Sequence, residues 1–151
     1  MKDEKNRWIV FNIGGEIYGI RLLDAREVIE YQRPKFVPNM ADYFLGVINI
    51  RGTIVGVIDL RKKLNVEPAK GKIRTPLLVC ETPFGPVAAV VDKIEAVTFI
   101  AEDQIELNVP IKSKIQKEYL IGIAKHKEQM LVLVDLLKAL SDELQTSKVA
   151  V

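Results

Sequence analysis

Gly46-Val47-Ile48-Asn49-Ile50-Arg51-Gly52-Thr53-Ile54-Val55-Gly56-Val57-Ile58-Asp59 is the stretch from which the fold can be read. Two runs rich in β-branched residues, Gly46 to Ile50 and Thr53 to Ile58, flank Arg51-Gly52. That pattern predicts a β-hairpin, because two-residue primed turns need positive φ and glycine adopts it freely. Arginine before the glycine is unusual, since Asn and Asp tolerate positive φ better. It requires backbone strain or a different turn type. Its fork of donors would project from a rigid tip, which suits a carboxylate or a cluster of carbonyls. A solvated turn residue and a binding residue fit this position equally well. After the hairpin, Asp59 is placed to cap a short helix from Leu60 to Leu64.

The same unit recurs further along the chain. Tyr43, Gly46, Ile54, Asp59, Leu60, Lys62 and Leu64 each have a like residue 76 positions on: Tyr119, Gly122, Met130, Asp135, Leu136, Lys138 and Leu140. Upstream, Trp8 to Ile20, a strand pair about Gly14-Gly15, is similar to Leu77 to Val90, whose turn is Pro83-Phe84-Gly85-Pro86. Further strands are expected at Ile94 to Ile100, Leu120 to Lys125 and Met130 to Val134, and a helix capped by Asp135 from Leu136 to Leu144. A short helix is expected from Asp24 to Glu30, with Asp24 as its cap and Ala25, Val28 and Ile29 on one face. Pro34 and Pro38 exclude regular structure between it and the hairpin. The fold class is therefore mainly β: two small barrels packed on each other, because a unit of about 70 residues can close a five-stranded barrel but buries little alone. The approximate units are 8–75 and 76–145 of a single domain over 1–151, with strand exchange between them left open.

Composition narrows the function. The 151 residues carry 22 basic and 20 acidic side chains, a net charge of +2, with 48% hydrophobic residues. This is an ordinary globular balance, without the strong field of a nucleic-acid binder. No apolar run reaches the roughly 18 residues of a membrane span, since Arg51, Asp59 and Asp92 interrupt the longest candidates. The charged N-terminus has no apolar core, which predicts no secretory signal and a cytoplasmic location. Basic residues do cluster at Arg61, Lys62, Lys63, Lys70, Lys72 and Arg74, and again at Lys112, Lys114, Lys117, Lys125 and Lys127. Solvated loops and a basic rim facing an acidic partner both account for them.

Catalysis has little to stand on. The single histidine, His126, lies between Lys125 and Lys127 near a turn, and the single cysteine, Cys80, lies in an apolar strand. There is no nucleophile elbow, phosphate loop or metal-ligand spacing, so no catalytic residue, metal or cofactor is expected. Asp59 and Asp135 precede helices in equivalent places, and capping explains both better than paired acid–base chemistry.

From Val37-Pro38-Asn39 through Gly46-Val47-Ile48-Asn49-Ile50-Arg51-Gly52 to Asp59-Leu60-Arg61, the chain resembles the signature of CheW, the bacterial chemotaxis coupling family. Arg26-Glu27-Val28-Ile29 and Val90-Val91-Asp92-Lys93-Ile94 add to the resemblance. It departs from the family pattern at Ala41 and Gly56, where proline is usual, which affects backbone stiffness more than contact chemistry. The resemblance implies two five-stranded SH3-like barrels and a non-catalytic scaffold. It implies as partners the cytoplasmic helices of chemoreceptors and the regulatory domain of the histidine kinase CheA, with the protein a monomer alone and part of rings or arrays with kinase. The location implied is the cytoplasm, with recruitment to membrane receptor arrays and no insertion into the bilayer. Carried over by position, the receptor-binding candidates are Ala25 and Val28 in the early helix, Gly46, Asn49 and Arg51 around the hairpin, and Ile94 in the second half. Packing or turn formation is the simpler account of Gly46 and Asn49. No individual residue is singled out for the kinase.

The alternative from another class is a small-barrel nucleic-acid binder using the basic stretches. Such proteins interleave surface aromatics with their lysines. Here Trp8, Phe11, Tyr18, Phe84 and Phe99 lie away from those stretches.

Overall fold

The computed structural model describes residues 5–67, 75–107 and 115–140. Ten strands run β1 (Arg7–Ile13), β2 (Glu16–Arg21), β3 (Ala25–Ile29), β4 (Phe44–Ile50), β5 (Thr53–Asp59), β6 (Leu77–Thr82), β7 (Gly85–Val90), β8 (Lys93–Phe99), β9 (Leu120–His126) and β10 (Gln129–Val134). Helix α1 (Leu60–Lys63) follows β5, and helix α2 over 136–140 follows β10. The strands form two five-stranded sheets, in the orders β8-β1-β2-β10-β9 and β3-β6-β7-β5-β4.

The second order is the first with each strand replaced by its counterpart five places away in the chain, so the duplication holds in three dimensions. Its halves are interlaced. The opening hairpin β1-β2 pairs with β8 and β10, and the hairpin β6-β7 pairs with β3 and β5. In both sheets the joint between the halves is a parallel pair, β2 with β10 and β7 with β5. Among the described residues no ladder joins the first strand of either sheet to its last, so the barrels are SH3-like in packing and open in hydrogen bonding.

Three cores result. One lies between the sheets and takes side chains from both: Ile9, Phe11, Ile13 and Ile20 from one, Ile58, Leu78, Cys80 and Ala89 from the other, with Leu60, Leu136 and Leu140 from the helices and Leu64 just after α1. Each sheet also has its own core inside its curl, built around Trp8, Val10, Leu131 and Leu133 in one and Val55, Val57, Leu77 and Val79 in the other. Successive residues of β1, β6 and β7 point alternately into the shared and the private core. Burial on both faces is why these strands read as nearly unbroken apolar runs.

The expected hairpins, both aspartate caps and the later strands are present to within two residues. Asp59 Oδ1 accepts from the Arg61 N–H (3.1 Å), and Asp135 Oδ1 from the Lys138 N–H (3.1 Å). The expected helix from Asp24 to Glu30 is absent. Leu22–Asp24 forms one 3₁₀ turn, and Ala25–Ile29 is strand β3, paired antiparallel with β6. The helical face of Ala25, Val28 and Ile29 competes with the β-preference of the last two, and the open edge of β6 decides the outcome. The expected turn over Pro83 to Pro86 is shorter: β7 already begins at Gly85, with Pro86 opposite Glu81 and beyond the end of the β5 ladder, where a missing N–H is tolerated.

Candidate partner-binding surface

The β4–β5 hairpin is the most defined part of the surface. Arg51 takes φ 48° and Gly52 φ 88°, so the tip is a primed turn with the arginine in the left-handed region. Asn49 supports it, its Oδ1 accepting from the Gly52 N–H at 2.8 Å. Asn12 does the same for Gly15 in the β1–β2 hairpin, at 2.9 Å. At the equivalent tip between β9 and β10, Lys127 and Glu128 take φ 48° and 65°. This backbone form belongs to the repeat and does not depend on which side chain occupies it.

Gly46 has a packing role. Its φ is 138°, and a Cβ there would lie 2.1 Å from the Lys35 carbonyl oxygen. The segment carrying Lys35 crosses at that point to bridge Val47, with mutual hydrogen bonds of 2.8 and 3.0 Å. Gly122 repeats the arrangement: a Cβ would lie 2.6 Å from the carbonyl oxygen of Glu106, which bridges Ile123. A strand-crossing contact thus accounts for the Gly46–Gly122 identity in the sequence.

Arg51 does not stand alone at the tip. It bonds Glu27 on β3 through both guanidinium ends, and the side chain stays 65% exposed. Arg26 continues the line, 3.8 Å from Glu27 and 2.9 Å from Glu81. The hydrogen bond from Arg51 therefore holds Glu27 below the ordinary carboxylate value. The sequence reading missed Glu27, because a helix from Asp24 to Glu30 gives it no face toward the hairpin. The signal available was the strand-like Val28-Ile29 beside it.

The other candidates fall in two settings. Ala25 and Ile94 lie on the matching edge strands β3 and β8, and both pack against the shared core from opposite sheets. Val28 is on β3 with its side chain exposed. Arg51, Ala25 and Val28 thus belong to one sheet, whose opposite edges are linked where Arg51 bonds Glu27, whereas Ile94 belongs to the other sheet. A cavity of about 840 Å³ opens beside this edge, lined by Val28, Ile29, Tyr31, Leu45, Arg61 and Val90 among others.

Two members of the first basic cluster, Arg61 and Lys63, are engaged within the fold. Arg61 is mostly buried, with Nε 2.9 Å from Asp59 Oδ1 and Nη1 2.9 Å from Asp92 Oδ1. Lys63 Nζ lies over the rings of both Tyr43 (4.7 Å) and Tyr119 (5.4 Å), the two tyrosines that the repeat makes equivalent. Those tyrosines also match in backbone role, their carbonyls accepting from the Asp59 and Asp135 N–H at 2.7 and 2.8 Å. Lys70, Lys72, Arg74, Lys112 and Lys114 lie outside the described residues. Trp8, Phe11 and Tyr18 are buried, so none can stack a base at the surface. Cys80 is buried, which pushes its thiol far up and leaves it inert. Among the described residues no cluster of three or more His, Cys, Asp or Glu side chains could hold a metal, and no helix is long and apolar enough to cross a membrane.

Comparison with known proteins agrees with the fold and the duplication. Residues 7–144 match the family model of the CheW-like domain. The chain is 34% identical over 136 residues to the chemotaxis protein CheW of Klebsiella aerogenes, covering 90% of this chain and 82% of that one. It is 29% identical over 143 residues to CheW of Bacillus subtilis, covering 95% and 92%. The crystal structure of the scaffolding protein TtCheW from Thermoanaerobacter tengcongensis superposes with a TM-score of 0.81 at 28% identity, over 89% of this chain and 87% of that one. The chain belongs to the CheW-like family of chemotaxis proteins, scaffolds without catalytic activity.

Proposed function

We propose that this protein couples the cytoplasmic tips of chemoreceptors to the regulatory domain of the histidine kinase CheA, as a cytoplasmic monomer recruited to membrane receptor arrays. Family membership supports the reading. The observation that carries it is the repetition of an exposed apolar residue beside each hairpin tip: Ile54 on β5 and Met130 on β10, 64% and 61% exposed and 76 residues apart. Two interlaced halves thus present two similar but non-identical apolar end surfaces. A partner with the same double-barrel fold could meet each end with its opposite end. Such head-to-tail contacts close into rings when the rotation per subunit permits. The receptor reads the other surface, at the β3 edge, where Ala25 and Val28 flank Glu27, the partner of Arg51; Ile94, on the matching edge strand of the second sheet, is the remaining candidate. Gly46 and Asn49 contribute by shaping the hairpin that presents Arg51.

Pull-down of the purified chain with a CheA regulatory domain and, separately, a receptor cytoplasmic fragment tests the reading. Saturable binding to both is expected. Binding to neither, or binding to nucleic acid that survives high salt, would overturn it.

A further inference from the structure

The duplication places corresponding residues at the start of both helices, with one exchange. In the first half, Asp59 caps α1 and Arg61 joins it to Asp92, the residue immediately before β8. The guanidinium donates to both oxygens of Asp59, at 2.9 and 3.1 Å, and to Asp92 Oδ1 at 2.9 Å. The Gly14 N–H completes Asp92, donating to Oδ2 at 2.7 Å. Both carboxylates are almost wholly buried, so this cluster ties the first turn of α1 to the β7–β8 junction.

In the second half, Asp135 caps α2, and Asp24 stands immediately before β3, as Asp92 does before β8. Leu137 occupies the place of Arg61, 76 residues on. Two carboxylates remain, and Leu137 supplies no cation to bridge them; Arg21, at the end of β2, is the cation whose charge acts on Asp24. Asp24 Oδ2 is buried without a hydrogen-bond partner.

We propose that α2 is a conditional element, docked through a latch that lacks its cation, so that its docking tightens as the solution becomes more acidic. The helix buries Leu136, Ala139 and Leu140 in the shared core, and those contacts draw it in. The charge at its first turn opposes them. Burial pushes the Asp24 carboxyl above its ordinary value; Arg21 acts against it, and the facing charge of Asp135, the smallest of the three influences, adds to the rise. Cys80, which also faces Asp24 from β6, stays uncharged because its own thiol is pushed far up. A raised carboxyl binds its proton more tightly in the folded state. Its favourable contribution is complete below the unfolded value and is lost as pH rises through the folded one. Near neutral pH the α2 junction therefore carries a strain that the α1 junction, with Arg61 in place, does not.

Amide hydrogen exchange on the full chain, corrected for intrinsic rates, tests this. The Ala139 N–H, bonded to the Asp135 carbonyl at 3.1 Å, is compared with the Leu64 N–H, bonded to the Leu60 carbonyl at 2.9 Å. At pH 7 Ala139 is expected to exchange at least about tenfold faster, with the gap narrowing as pH is lowered toward the ordinary aspartate value. Asp24→Asn removes the repulsion and Leu137→Arg supplies the cation. Each is expected to slow Ala139 about tenfold at pH 7 and to flatten its pH dependence, whereas the neutral Leu137→Gln does neither. Simple helix fraying predicts no response to Asp24→Asn, a residue remote from α2 in sequence. Equal protection of the two helices, or Ala139 exchange unmoved by Asp24→Asn, would overturn the proposal. Should Leu137→Arg disturb the fold, Asp24→Asn alone decides.

Discussion

Arg51 binds Glu27 through both ends of its guanidinium, Nη1 to Oε1 at 3.2 Å and Nη2 to Oε2, so the tip of the β4–β5 hairpin is moored to the edge strand β3. β3 and β4 are the first and last strands of one sheet, and the pair links them. Any partner carboxylate that engages Arg51 competes with Glu27 for the same fork of donors.

Arg51→Glu should leave thermal melting nearly unchanged, because the residue is exposed at a turn. Receptor affinity should fall on the order of thirtyfold, as expected on removing a charge-assisted interface contact. Melting and affinity are measured on one sample. Unchanged affinity would reduce Arg51 to a turn residue, and a collapse of melting would make it structural.

Glu27 supplies a pH readout of the same pair. Its carboxyl is lowered in the folded state, chiefly by the hydrogen bond from Arg51. The pair's contribution is thus present above the ordinary glutamate value and is lost as pH falls through the lowered one. An NMR titration should place Glu27 below ordinary glutamate, and Arg51→Ala should move it upward. A Glu27 titration that ignores Arg51→Ala would mean the two side chains are not paired in solution.

Arg61→Leu should be far more damaging than any change at Arg51. It leaves the buried carboxylates of Asp59 and Asp92 without their shared cation, a loss of about 3 kcal/mol or more. Urea denaturation measures it. A loss comparable to that of an exposed arginine would show that the cluster does not fix the α1 junction.

Gly46→Ala and Gly52→Ala separate two causes of glycine dependence. Both positions have positive φ, but a Cβ at residue 52 meets open space, whereas at residue 46 it meets the Lys35 carbonyl oxygen. Gly52→Ala should cost about 1 kcal/mol from the backbone alone. Gly46→Ala should cost clearly more and displace the Lys35 bridge, visible as faster exchange of the Val47 amide. Equal costs would mean the crossing segment gives way easily.

Ile54→Asp and Met130→Asp test the two-ended scaffold. Each should weaken kinase binding at a different contact, and either one should prevent ring or array formation, since a head-to-tail assembly needs both ends. Single contacts of this kind are small and of roughly micromolar strength, and the array gains by multivalency. If one substitution removes all kinase contact and the other changes nothing, the scaffold has one working end.

What the sequence by itself determined is what depends on neighbours in the chain. The hairpin at Arg51-Gly52, the caps at Asp59 and Asp135 and the repeat at Gly46 and Gly122 were all legible there, because turn dihedrals and capping hydrogen bonds are settled within a few residues. Tertiary structure decided the rest. Val28 and Ile29 joined a strand because β6 offered them an edge. Arg61 left solvent for Asp92, 31 positions away, and Arg51 found Glu27, 24 positions back. The halves interlaced because the β1-β2 hairpin completes the sheet of β8, β9 and β10 while β6-β7 completes that of β3, β4 and β5, which gives both hairpins two apolar faces to bury. Apolar and charged side chains carry no local record of their partners. Which partner they meet is set only when distant strands are brought together, and there burial and charge pairing choose among arrangements that the local sequence leaves equivalent.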